Sequence, residues 1–357
     1  MFIIILLLCS GISLITLFKS NNYTKLSIGI FISAVLILFA GTRNADVGRD
    51  YLEYSRLFSL YNSIGDINLE SFILYEPSIL IIPNILKSIF GISYYLDLTF
   101  LIFAILGVGL KIKAIARSQF FFLSVLIYCS YFVFGQEMIT IRAGVACGLF
   151  LLSIKDLENK NDRNFFFKIC LAYMFHYSSI IFILIWIIEK LKIKYKPLLF
   201  SLLLSFVVAV LKINILTILK LDVFFPKIGA YLSLLEVEGG DPVNVLNFRI
   251  LFALGFLILF LFKIQLLKEN SFFNILFRIH IISLVLFFLL SPTAMVFSLR
   301  IFDLLSIVQI LLYPYTILLF KERIVGYLIL ILFCSINFYY IIYISQWFST
   351  GYSSWLV

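Results

Sequence analysis

A run of about 20 apolar residues is long enough to cross a bilayer as a helix, and this chain contains about ten such runs. Lipid offers no hydrogen-bond partner to a peptide group, so only an element that satisfies its own amides can occupy one. The choice lies between helices and a closed barrel. Barrel strands are short and alternate apolar with polar residues, whereas the runs 3–18 and 198–211 carry apolar side chains on every face. The pattern predicts an all-α polytopic membrane protein. Its 63% hydrophobic and 13% charged residues, against roughly 45–50% and 25% in soluble domains, leave no stretch that reads as a soluble domain.

Spans are predicted near 2–18, 25–42, 95–112, 118–135, 138–154, 197–219, 248–267, 271–290, 299–320 and 324–345. Met1 leads straight into the first run, without the charged leader or small-residue cleavage site of a signal peptide, so 2–18 is expected to stay as a span. Lys and Arg outnumber Asp and Glu by 28 to 19. The excess gathers in 19–25, 111–117, 155–168, 189–196, 263–268 and 321–323, which the positive-inside rule assigns to the cytoplasm. The net charge of +9 is thus topological and calls for no nucleic acid, only anionic lipid headgroups. With both termini outside, this parity holds if two segments are re-entrant hairpins; the alternative is that each crosses once, which would put the basic loop 111–117 outside. One segment is 72–94, interrupted by Pro77, Pro83 and Gly91, and the other is 165–190, with the polar break His176-Tyr177-Ser178-Ser179. The expected architecture is a single integral membrane domain, 1–357, of about 10–12 transmembrane helices, with outer loops at about 43–71 and 220–247. The five cysteines all lie in apolar segments without a CxxC pair, so neither a disulfide nor a metal site is expected.

The densest polar stretch is Gly41-Thr42-Arg43-Asn44-Ala45-Asp46-Val47-Gly48-Arg49-Asp50-Tyr51-Leu52-Glu53-Tyr54, where the second span meets the outer face. The planar guanidinium fork matches phosphate oxygens and keeps its charge, so Arg43 and Arg49 could hold a diphosphate without a metal. An interfacial salt-bridge cluster that anchors the span fits the same residues. Ionisable groups inside apolar segments cost a few kcal/mol on insertion scales and so tend to pair or line a cavity. Glu76, Arg142, Arg249 and Arg300 are such groups near the outer face, and with Arg43 and Arg49 they would form one basic, water-accessible pocket. Arg278 and His280 follow a cytoplasmic loop and read better as snorkelling or core polar residues. Arg300 and Asp303 are i, i+3 neighbours, which suits an ion pair as well as a ligand site. For His176, a hydrogen-bonded structural role and a catalytic one both stand. No GxGxxG, GxxxxGK[ST], HExxH or GxSxG motif in its proper setting is present, which argues against nucleotide-driven transport and soluble hydrolase chemistry.

The order Gly41-Thr42-Arg43, then Val47-Gly48-Arg49-Asp50-Tyr51 and Tyr54, then Glu76, then Ile141-Arg142-Ala143-Gly144-Val145-Ala146, then Phe175-His176-Tyr177-Ser178-Ser179, resembles the EpsG branch of Wzy-type polysaccharide polymerases. The resemblance covers residues 1 to about 190 and beyond 200 thins to hydropathy and the Arg300 region. Two positions depart from the family pattern: Arg49 stands where Thr is usual, and Ala143 where Gln is frequent.

The resemblance implies a GT-C-like glycosyltransferase in the bacterial cytoplasmic (inner) membrane, its active site facing the periplasm or cell exterior. Such an enzyme moves a growing glycan from undecaprenyl diphosphate to a lipid-linked repeat unit. An O-antigen ligase or a lipid-linked oligosaccharide flippase would share the basic cavity, although a flippase should show two related halves, which this chain lacks. On this reading Arg43, Arg49, Arg142 and Arg300 bind diphosphate, and Tyr51, Tyr54, Glu76 and Arg249 contact substrate. Asp50 is the first choice for the base and His176 the second. No cofactor is implied. The partners implied are the undecaprenyl-diphosphate-linked oligosaccharide, membrane lipids and a chain-length regulator protein.

The charge distribution alone makes one prediction. Cysteines introduced at Asn62 and Gly239 should react with an impermeant maleimide on intact spheroplasts, and one at Asn161 should not; external labelling at position 161 would overturn this topology.

Overall fold

In the computed structural model, which describes residues 22–220, 244–293, 295–345, 347, 348 and 351–356, every regular element is helical. The chain runs through α1 (Asn22–Gly41), α2 (Tyr51–Phe58), α3 (Pro77–Phe90), α4 (Tyr95–Ile115) and α5 (Phe121–Ile127), the last continuing as a π-helix over Tyr128–Glu137. Next come α6 (Ile141–Glu158), α7 (Asp162–Phe175), a 3₁₀ turn (Tyr177–Ile181), α8 (Phe182–Lys190) and α9 (Tyr195–Val210). The last are α10 (Phe248–Phe262), α11 (Ser271–Leu290), α12 (Met295–Ser306) and α13 (Arg323–Tyr339). Among the described residues, five stretches are long and apolar enough to cross a membrane: Tyr23–Gly41, Tyr95–Ile115, Ser271–Leu290, Phe297–Leu318 and Arg323–Ile344. Shorter apolar helices accompany them, and the whole is a multi-pass helical membrane protein. The predicted first span 2–18 and most of the predicted outer loop 220–247 lie outside the described residues.

Local chemistry sets the helix ends. Asn161, Asn247 and Asn270 cap α7, α10 and α11, each side chain accepting from a backbone N–H of the first turn. Proline drives the residue before it into extended backbone and suits the first helical position, so α3 starts at Pro77 after an extended Glu76. It ends at Gly91, whose φ of 79° is open to glycine at little cost. The expected interruptions in 72–94 therefore fall at Tyr75-Glu76 and at Gly91, but not at Pro83. Pro83 sits inside a continuous 14-residue helix, and the arm leading in is the single turn Ser71–Leu74. Both flanks meet at Tyr61, whose hydroxyl bonds the Ser71 hydroxyl at 2.6 Å and whose carbonyl accepts from Lys87 Nζ at 2.8 Å.

The chain divides into two compact units, Met1–Ile180 with Tyr313–Val357, and Ile181–Leu312. In the first, α1, α4 and α6 approach closely at glycines. A Cβ on Gly41 would lie 2.9 Å from the Leu101 backbone, and one on Gly148 would lie 2.8 Å from Leu110 Cβ. Gly148 lets α6 pack closely against α4, its Cβ position 3.6 Å from the Gly107 carbonyl, while Gly144 on the same helix faces the Gln136 carbonyl at the end of the π-helix. Residues 351–356 pair with the polar stretch at the end of α1: Asn44 N donates to Ser353 O, Trp355 N donates to Thr42 O, and the Tyr352 ring stacks on Phe39.

Three sequence expectations change. Lys111, assigned to a cytoplasmic loop, is inside α4 and fully buried, while Lys113 and Arg117 are exposed as that loop requires. The loop 43–71 is not wholly an aqueous loop, because α2 within it buries Tyr51, Tyr54 and Phe58 against Phe100. In the second unit Asp303 pairs with Arg249 rather than Arg300, which is exposed. There too, Arg278 meets Glu189 through two hydrogen bonds of 2.7 and 2.5 Å, and buried His280 Nε2 lies 3.0 Å from Ala253 O, as core polar residues should.

The close glycine contact is open to test. Gly41→Ala should destabilise the detergent-solubilised protein by about 1–3 kcal/mol through overpacking. Gly255→Ala, where nothing lies within 4 Å, should leave the melting temperature at or above wild type.

Candidate active site

Four elements of the first unit bring polar groups to one point. Tyr54 comes from α2, Glu76 stands at the start of α3, Arg142 is the second residue of α6, and His176 follows α7. His176 has extended backbone, φ −153° and ψ 113°, so the helical path of α7 stops there. Tyr177 fixes the turn by donating its hydroxyl to the carbonyls of Phe72 and Tyr75, tying it to the strand of backbone that leads into Glu76.

The Glu76 carboxylate serves two partners. Its Oε2 accepts from Arg142 Nη1 at 2.6 Å, and its Oε1 lies 3.3 Å from His176 Nδ1. Arg142 Nε reaches the Tyr54 hydroxyl at 3.5 Å, and the guanidinium lies 5.4 Å from the Tyr54 ring centroid, within cation–π range. The side chains of Glu76 and His176 are 10% and 12% exposed, that of Arg142 23%, so the guanidinium keeps the most open face. Burial works to raise the Glu76 carboxyl, but the hydrogen bond from His176 and the charge of Arg142 outweigh it and hold the group down to about 2. An ionised carboxylate can only accept, so His176 Nδ1 carries the proton and a neutral imidazole keeps its lone pair on Nε2.

The remaining predicted residues fall elsewhere. Arg43 is fully buried: Nη1 donates to Ala40 O, its guanidinium carbon lies 4.9 and 5.6 Å from the Phe100 and Tyr51 ring centroids, and Nε and Nη2 have no hydrogen-bond partner among the described residues. The Tyr51 ring is stacked on Phe100 at 4.1 Å, so it is a core ring rather than an open sugar platform. Arg49 is exposed and Asp50 half-buried, the two paired at 3.4 Å, with Arg49 also 5.8 Å from the Trp347 ring. Arg249 and Arg300 belong to the second unit.

One cluster escaped sequence reasoning. Glu137, fully buried at the end of the π-helix, receives Lys111 Nζ at 2.5 Å and the Tyr128 hydroxyl at 2.9 Å. Its signal was a carboxylate in the two-residue gap between the predicted spans 118–135 and 138–154.

Helices of this length and apolarity, with a guanidinium, a carboxylate and an imidazole joined at their ends, define a multi-pass membrane protein with a polar centre fit for proton transfer and anion binding. The EpsG family model matches residues 26–356, and the chain belongs to the EpsG family. That is a Wzy-like polymerase family, which makes this, at the general level, a glycosyltransferase-like polymerase. No curated protein and no solved structure matches the chain.

The lowered Glu76 carboxyl has a consequence for pH. A carboxyl held below its ordinary value of 4.5 contributes stability that is complete above that value and is lost as pH falls through about 2. The melting temperature of the purified protein should fall across that window, and Glu76→Gln should flatten the fall.

Proposed function

We propose that the protein is a polysaccharide polymerase that transfers a growing glycan from undecaprenyl diphosphate to the terminal sugar of a lipid-linked repeat unit. The reaction is set on the outer face of the cytoplasmic membrane. The observation that carries this reading is the single carboxylate, Glu76, held between Arg142 and His176 in a chain of this family.

The chemistry follows from the geometry. Nε2 of His176 takes the proton of the acceptor hydroxyl as its oxygen attacks the anomeric carbon of the donor. The bond from that carbon to the phosphate oxygen breaks, and the electron pair leaves on the diphosphate. Arg142 offers its open face to the charge that develops there, and such stabilisation acts most strongly in a water-poor site. Glu76 orients both groups and stabilises the imidazolium that forms, the task a carboxylate has in a catalytic triad. Arg43 adds positive potential from within the core, with two guanidinium nitrogens unmatched. His176 is favoured over Asp50 as the base because it has an orienting carboxylate, whereas Asp50 is 37% exposed and paired with Arg49.

A positioned base contributes typically 10²–10⁴-fold to rate. In membranes supplied with lipid-linked repeat units, His176→Gln should lower turnover by about that factor while substrate still binds, and Asp50→Asn should cost far less. The reverse order would move the base to Asp50. Arg142→Ala should abolish long chains at near-normal protein level, since a charge-assisted contact is worth roughly 1.5–3 kcal/mol. A single glycan transferred to an acceptor other than the lipid-linked unit, in place of a ladder, would favour a ligase.

A further inference from the structure

We infer that Lys111 is a positioning residue that sets Arg142, an assignment that rests on the reading of Arg142 given above. Lys111 lies in α4, fully buried, and its ammonium makes two short contacts: one to Glu137 Oε1 at 2.5 Å, the other to the Gly144 carbonyl at 2.6 Å. These acceptors stand on opposite sides of a break in the chain. Glu137 closes the π-helix, Met138–Thr140 carry no helix of their own kind, and Gly144 lies in the first turn of α6. Arg142 sits between the two tie points, two residues before Gly144. One cation on a neighbouring helix thereby fixes both ends of the bend from which the active-site guanidinium projects.

Glycine makes the arrangement possible. A Cβ on Gly107 would collide with Glu137 Oε2, and a Cβ on Gly144 would lie 2.5 Å from the Gln136 carbonyl and 3.2 Å from Glu137 Oε2. Both helices thus give up side chains where the carboxylate enters, and Tyr128 satisfies it from the third side at 2.9 Å. Stability is a poor reason for such a pair. Burying two charges costs about what their attraction returns, and apolar replacements of similar volume are often neutral or better. What an apolar pair cannot do is hold a chosen backbone carbonyl. The contact to Gly144 gives the ammonium a geometric task beyond matching Glu137.

Removing Lys111 alone would leave Glu137 unmatched and risk the fold, so the test removes both charges. K111M/E137Q keeps the volume of each side chain and the capacity to accept from Tyr128. It should accumulate in membranes with a wild-type melting temperature, yet turnover on lipid-linked repeat units should fall by about 10- to 100-fold, the scale of an ångström-sized misplacement, with KM changing less than kcat. On an Arg142→Lys background the same pair of substitutions should cost less than about threefold, because the group it positions is already gone. Three outcomes overturn the inference. Wild-type turnover in K111M/E137Q would reduce the pair to mutual charge balance. Loss of folded protein would make it a stability element. The full cost persisting on the Arg142→Lys background would mean that Lys111 acts elsewhere. Arg142→Lys with wild-type turnover would instead bring down the site reading itself, along with the role drawn from it, and so separates the two failures.

Discussion

A charge removed from water must be met inside the protein, and where this chain meets that demand determines which helices can touch. Apart from Lys155–Glu158, which lies within α6, the ion pairs buried or partly buried among the described residues join separate elements. Lys111 and Glu137 link α4 to the π-helix, Glu76 and Arg142 link the start of α3 to α6, Arg278 and Glu189 link α11 to α8, and Arg249 and Asp303 link α10 to α12. Apolar packing between helices is nearly as good against lipid tails as against another helix, so it specifies partners weakly. Ion pairs and glycine contacts do the specifying. In the first unit both devices coincide at Gly107, Gly144 and Glu137, where the carboxylate occupies the space that two missing side chains leave.

Most of the fold was legible in the sequence, because hydropathy is a bulk property and needs no partner to be read. The predicted spans 25–42, 95–112, 248–267, 271–290 and 324–345 fall on α1, α4, α10, α11 and α13. The polar break at His176 and the proline at 77 were equally plain, since both act through local backbone. The pairings of the charges were not plain. Asp303 follows Arg300 by one helical turn, yet it bonds Arg249, 54 residues away. Lys111 counted as a loop cation under a rule that reads basic residues near span ends as exposed, and α4 extends three residues beyond the predicted end of its span, to Ile115.

The candidate site divides along the same line. Family motifs brought Glu76, Arg142 and His176 to notice, and Glu76 is shared by the other two. Alternation of Arg and Asp within 43–50 suggested a clamp on the outer loop, but α2 folds inward on its aromatic face and takes Arg43 with it. Sequence spacing carried no sign of this, because the acceptor surface for Tyr51 and Phe58 is Phe100 on another helix.

Arg43 is the exception to the pairing rule and therefore the most telling group. Its guanidinium is buried, no carboxylate comes within 4 Å of it among the described residues, and two of its nitrogens lack acceptors. Aromatic faces compensate a cation only in part, at about 0.5–2 kcal/mol. A folded chain that tolerates such a deficit keeps uncompensated positive potential in its core, beneath the ring faces of Tyr51 and Phe100. Preorganised charge of this kind costs stability in the resting state, and the return comes only where negative charge develops within reach of its field.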